Sequence, residues 1–94
     1  MGWHPEDPSY TIYFTGLKPD ADKRALVRYI RELFNLGISE AVNYVENLPD
    51  KPFGFMKTCR CTLPEAEKIV RPIMDELDRL GAVAEWNYDY GDWD

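Results

Sequence analysis

The sequence predicts an α+β fold, a two-layer β-α-α-β-α-β sandwich with three helices on one face of a small sheet. Three observations carry this. Residues 10–15, Tyr-Thr-Ile-Tyr-Phe-Thr, are a β-branched and aromatic run bounded by Pro8 and Gly16, the composition of a strand. Three later segments place apolar residues at helical spacing. Each helical segment has a single apolar stripe, so all three must be covered by the sheet or by one another.

The elements follow in order. Gly16 to Asp20 is a turn containing Pro19. A helix is expected over 21–34, with Leu26, Val27, Ile30, Leu33 and Phe34 inward and Asp20 or Asp22 as its cap. Asn35 and Gly37 tolerate a left-handed backbone and end it. Ser39 is the expected N-cap of a short second helix reaching Asn47, with Ala41, Val42, Val45 and Leu48 as its inner stripe and Pro49 and Pro52 closing it. Alternation then predicts a strand or hairpin arm at 55–61, with Gly54 as a bend before it.

Thr62, Pro64 and Glu65 form a strong helix start, because Thr62 caps, Pro64 suits the first turn and Glu65 completes a capping box. Ala66, Ile69, Val70, Ile73, Met74, Leu77 and Leu80 continue that helix as one apolar face, and Gly81 stops it. Pro72 removes one backbone bond at a cost of about 3 kcal/mol, yet the periodicity runs through it, so a single kinked helix is expected. A last strand covers 82–88.

Ninety-four residues make one small domain. The expected organisation is an irregular arm at 1–8, a folded domain at 9–86 and an acidic, aromatic tail at 87–94. The net charge of −6 argues against nucleic acid as a partner, since phosphate binding needs a basic face. The charge is uneven. Lys18, Lys23, Arg24, Arg28 and Arg31 gather around the first helix, and Glu85, Asp89, Asp92 and Asp94 gather at the end of the chain. No apolar run approaches the length of a membrane span, so no membrane partner is expected. Cys59 and Cys61 on a strand point to one face and lie too close in sequence for an unstrained bridge. Two reduced packing cysteines and a cytoplasmic setting are therefore expected. With His4 distant, a zinc site lacks ligands, and no cofactor is expected. No phosphate loop, metal cluster or paired-carboxylate motif marks an enzyme.

The stretch Leu36-Gly37-Ile38-Ser39-Glu40-Ala41, followed by Val45-Glu46 and Pro49, resembles the second helix of the C-terminal domain of the bacterial ribosomal stalk protein (large-subunit protein seven/twelve). The resemblance extends over about residues 10–86. Lys23 through Arg31 is similar to that family's first helix, and Glu65-Ala66-Glu67 through Leu80-Gly81-Ala82 to its third helix and final corner. It implies a non-enzymatic protein-binding module whose first two helices recruit a translation GTPase, such as elongation factors Tu and G. Lys23, Arg28 and Arg31 stand at the family's basic positions. Gly37, Ile38 and Glu40 match its corner and the start of its next helix. Ser39 and Val42 stand where lysines are common, and the connection from Pro49 to Thr62 is longer. The dimerising N-terminal domain and hinge of a stalk protein are not in this sequence, so a stand-alone relative of the domain is expected, which a phage or accessory origin would fit.

The adaptor of the Clp protease (ClpS) shares this order of elements. The turn at 15–20 lacks that adaptor's paired acidic or amide signature.

The expected partner-binding residues are Lys23, Arg24, Arg28, Arg31, Gly37, Ile38, Glu40, Phe53 and Phe55. Arg24, Arg28 and Arg31 fall at i, i+4 and i+7, opposite Leu26, Ile30 and Leu33. They read as a docking stripe or as an ordinary solvated helix face. Phe53 and Phe55 read as a contact arm or as a cover for the sheet. The tail, with its aromatics and acids, is a candidate to mask the basic stripe. The alternatives to docking are a peptide-binding adaptor and a structural, self-associating protein. Oligomeric state is not encoded legibly.

Overall fold

Tyr10, Ile12 and Phe14 alternate with Thr11, Tyr13 and Thr15, and this period of two decides which face of the sheet is covered. In the computed structural model, which describes residues 8–59 and 61–89, the first set is buried beneath the helices and Tyr13 and Thr15 face solvent. The elements are β1 (Ser9–Leu17), α1 (Lys23–Phe34), α2 (Ile38–Glu46), β2 (Phe53–Thr58), α3 (Leu63–Leu80) and β3 (Ala82–Asp89). The order β-α-α-β-α-β and the mixed two-layer architecture are those the sequence predicts.

The sheet is antiparallel with strand order β2-β1-β3. The first strand of the chain is thus its centre. Tyr10 pairs with Lys57 on one side and Tyr88 on the other, and Phe14 pairs with Phe53 and Ala84. A bulge between Phe14 and Gly16 shifts the β1–β3 register, and the Thr15 hydroxyl donates to the Val83 carbonyl at 3.3 Å.

Local signals set most helix ends. The Asp22 carboxylate accepts from the Ala25 N–H at 3.1 Å and starts α1. Asn35, at φ 55°, ends it in the left-handed conformation that asparagine tolerates better than most residues. Thr62 and Glu65 make the reciprocal capping box of α3, and Gly81 stops it at φ 96°. A Cβ at Gly81 would lie 2.4 Å from Ala21 Cα, so backbone angle and packing both demand glycine there. Pro72 stands inside α3, and the helix continues through it as one element.

The core joins all layers. Ile12, Phe14, Leu26, Ile30, Val45, Val70 and Leu77 are its largest fully buried side chains. Beside it, Phe14, Phe34, Tyr44, Phe53 and Phe55 form a chain of ring contacts. Phe14 and Phe53 stack at 4.6 Å, Phe34 and Phe55 at 4.4 Å, and Tyr44 approaches Phe53 at 4.8 Å. Such pairs contribute about 0.5–1.5 kcal/mol beyond burial alone.

Several expectations need correction. The residue at the N-cap of α2 is Gly37, not Ser39, and no side chain caps that helix. Val42 and Ile69 belong to no inner stripe, being 38% and 45% exposed. The middle strand begins at Phe53 and ends at Thr58, not at 55–61, because Gly54 pairs opposite Tyr13 instead of bending the chain away. The last strand runs to Asp89, where it pairs with Ser9. Residues 87–89, assigned to the tail, are therefore part of the sheet.

Cys59 and Cys61 are not free thiols but a disulfide. With β2 finished at Thr58, the chain leaves extended geometry, and the two Cα atoms stand 5.2 Å apart, against about 6.6 Å for two steps along a strand. The cysteines accordingly give no argument for a reducing compartment. Among the described residues, no helix is long and apolar enough to cross a membrane.

Candidate functional site

The α1–α2 corner is short. Asn35 turns the chain, Leu36 donates its N–H back to the Arg31 carbonyl at 3.0 Å, and α2 begins at Ile38. The second helix therefore folds back against the first. Leu26 and Ile30 of α1 and Ala41 and Val45 of α2 point inward and are buried. What remains between the two helices on the outer side is a groove of about 520 Å³.

Its rim carries Lys23, Arg24, Arg28 and Arg31, all exposed. Its floor is apolar, built from Val27, Ile38, Val42 and Val45, and Glu46 stands within its lining as the one acid. Ile38 is 60% exposed, a large cost for an isoleucine at roughly 25 cal/mol per Å² of apolar surface left in water. Among the described residues, none of the four cations forms an ion pair. Elsewhere α3 does pair its charges: Asp78 with Lys18, Glu67 with Arg71, and Glu76 with Arg79.

Of the residues expected to bind a partner, the fold brings together Lys23, Arg24, Arg28, Arg31 and Ile38. Gly37 and Glu40 sit at the corner, exposed, but outside the lining. Phe53 and Phe55 lie elsewhere, half-buried on β2 with their rings against Phe14, Phe34 and Tyr44. They cover the helix-facing side of the sheet. Val45 is core, as read, and closes the groove from below; Val27, packed against the core, and the exposed Val42 were read as core and line the groove as well. Their signal lay at the stripe's edge: Val27 and Val42 flank the buried Leu26 and Ala41, one helical position towards the neighbouring helix.

The perturbed acids and bases of the described chain lie outside this groove. The Glu65 carboxyl is held below its ordinary range by the hydrogen bond from the Thr62 N–H, then by the Thr62 side chain. Glu76 is lowered by its hydrogen bond with Arg79. Tyr29 is raised by burial and then by the Glu76 charge. These are structural pairings at helix ends and turns, and no group of three or more His, Cys, Asp or Glu among the described residues is placed to hold a metal ion. The groove offers fixed positive charge over an apolar floor, which suits attraction and contact with an acidic surface. The chain matches no family model and no curated protein. Of the tail proposed to mask the row, 87–94, residues 90–94 lie outside the described residues, as do residues 1–7 of the arm at 1–8.

Proposed function

We propose that the chain is a protein-docking module of the kind found at the C-terminus of the bacterial ribosomal stalk protein, and that the α1–α2 groove is its docking surface. The observation that carries this reading is the row of Lys23, Arg24, Arg28 and Arg31 above the exposed Ile38 and Val42, with no carboxylate paired to the row among the described residues. In an acidic protein, four unpaired cations over an apolar floor favour an acidic partner. The resemblance of Leu36 through Pro49 to the stalk domain supports a translation GTPase as that partner and a cytoplasmic setting. The groove's function is binding and not catalysis.

The steps follow from the charges. Long-range attraction raises the encounter rate, and Ile38 with Val42 then loses water against the partner's apolar side chains. Arginine suits the rim because its planar fork meets carboxylates with two parallel bonds. The test is calorimetric titration with purified elongation factors Tu and G. The Arg28→Glu/Arg31→Glu variant should bind at least about tenfold more weakly, since each desolvated charge contact contributes on the order of 1 kcal/mol or more. Wild-type binding should also weaken as salt is raised. Affinity equal in wild type and variant, at unchanged melting temperature, would remove this face from the function.

A further inference from the structure

The connection between β2 and α3 holds chemistry that the docking groove does not use. β2 ends at Thr58 and the capping box of α3 opens at Thr62. Cys59 and Cys61 fall in that gap, bonded to each other and each only half-buried. The flanking backbone is held on both sides: the Cys59 N–H donates to the Pro8 carbonyl at 2.9 Å, and the Tyr88 hydroxyl donates to the Cys61 carbonyl.

A disulfide that serves as a staple closes a long loop, because its effect on the unfolded chain grows with the number of residues enclosed. This one spans a sequence separation of 2 and ties no distant elements together. The fold has other supports at this point in the β1–β3 ladder and the capped α3. A bridge that does little for folding and is open to solvent is of the labile kind that exchanges with other thiols. The two sulfurs also differ. Cys61 precedes the N-cap Thr62 of an 18-residue helix, whose positive dipole end favours a thiolate. The Thr62 and Glu65 N–H groups are already taken by the capping box, and Pro64 has none. The Glu65 carboxylate, which accepts from Thr62 at the same helix end, offsets part of the dipole's effect.

We propose that Cys59 and Cys61 form a thiol–disulfide exchange site whose substrates are small thiols and disulfides of the glutathione class and accessible protein thiols. In the reducing direction, a substrate thiolate attacks one sulfur of the bridge. The Cys59–Cys61 bond breaks, a mixed disulfide forms, and the other cysteine leaves as a thiolate and takes up a proton. A second substrate thiolate attacks the mixed disulfide, releases the substrate disulfide and leaves two thiols. Two electrons pass from two substrate thiols to the pair. In the oxidising direction, the Cys61 thiolate attacks oxidised glutathione and expels one reduced glutathione. Cys59 then displaces the second and closes the bridge. Closure is intramolecular across one residue, which makes Cys59 an efficient resolving group.

The experiment equilibrates the full chain in buffers of varied reduced-to-oxidised glutathione ratio, quenches with acid, alkylates free thiols and weighs the intact chain. The expected result is one two-electron transition between bridged and dithiol forms, with the fold retained in both by circular dichroism. The Cys59→Ser variant should trap a single glutathione on Cys61 about two- to threefold faster than the Cys61→Ser variant traps one on Cys59, after the lower nucleophilicity of a lower-pKa thiolate is allowed for. A chain that stays bridged, or stays a dithiol, at every ratio would overturn the proposal. So would equal trapping rates, or loss of the fold on reduction. Neither variant touches the docking groove, so these outcomes are independent of that reading.

Discussion

The C-terminal end of α3 and the outer face of α1 use similar residue types for opposite purposes. At the end of α3, charge is consumed by the fold. Lys18 pairs with Asp78, Arg79 donates to Glu76 at 2.9 Å, and the Lys18 and Asp22 N–H groups donate to the carbonyls of Gly81 and Leu80 at 2.7 and 3.0 Å. On the outer face of α1, Lys23, Arg24, Arg28 and Arg31 have no such partner among the described residues, and an isoleucine and a valine beside them stay in water. One region is finished by its own chain. The other leaves charge and apolar surface unmatched among the described residues, and the docking proposal rests on that difference. Unpaired charge beside exposed apolar surface is more informative than either feature alone, since exposed helix faces are ordinarily charged and scattered apolar residues are ordinary too.

The sharpest way to break this contrast is at Gly81. Gly81→Ala places a Cβ 2.4 Å from Ala21 Cα at φ 96°. Left-handed backbone and overpacking together should cost about 2–4 kcal/mol, measured as a shift of the urea midpoint. At Gly37, the glycine of the other corner, an added Cβ would meet nothing within 4 Å, and φ is ordinary. Gly37→Ala should therefore change stability by no more than about 0.5 kcal/mol. If both glycines responded alike, the division between a locked and an open region would fail.

Next in size is the start of α3. Thr62→Ala removes the cap and should cost about 1 kcal/mol. The pH dependence sharpens the assignment. The folded-state pKa of Glu65 lies below its ordinary 4.5, so its contribution is present above that value and is lost as pH falls through the lower folded value. Glu65→Gln should therefore be less stable than wild type at neutral pH, and the two should converge in acid. A gap that persisted or widened in acid would show that Glu65 does not act through its charge on the capping bonds. The smallest effect belongs to the groove itself: Arg28→Glu/Arg31→Glu should leave the urea midpoint within about 0.5 kcal/mol, although the same pair is expected to change binding most.

Much of the fold was legible because the decisive signals are local. Thr62, Pro64 and Glu65 mark one helix start, while Asn35 and Gly81 mark two helix ends by a backbone angle that few other residues accept. What failed to show was set by tertiary neighbours. Ser39 looks like a better cap than Gly37, yet the tight corner begins α2 two residues earlier. Gly54 looks like a bend, yet it is a sheet position overlain by the Tyr13 ring, whose Cδ1 would meet an added Cβ at 2.8 Å. The basic row of the candidate site was readable from i, i+4, i+7 spacing. Its apolar floor was not, because whether Val27 and Val42 face the core or a groove depends on the angle at which α2 leans on α1. The cysteine pair was misread for a related reason. Bridging became geometrically simple only because the strand ends at Thr58, before either cysteine, where alternation carried it through both.

The pairing of Ser9 with Asp89 has a consequence for how the domain is made and moved. The central strand is synthesised first, but one of its two neighbours arrives last, so folding cannot finish until nearly the whole domain has been released. Such long-range closure slows folding relative to helical bundles of similar size. It also sets the two boundaries of the folded unit about 5 Å apart. A unit whose entrance and exit coincide can be spliced into a surface loop of another protein without stretching either one, and its natural ends can be joined while new ones are opened at the exposed turn around Asp50 and Lys51. In this fold, connectivity is more replaceable than either end of β1's ladder.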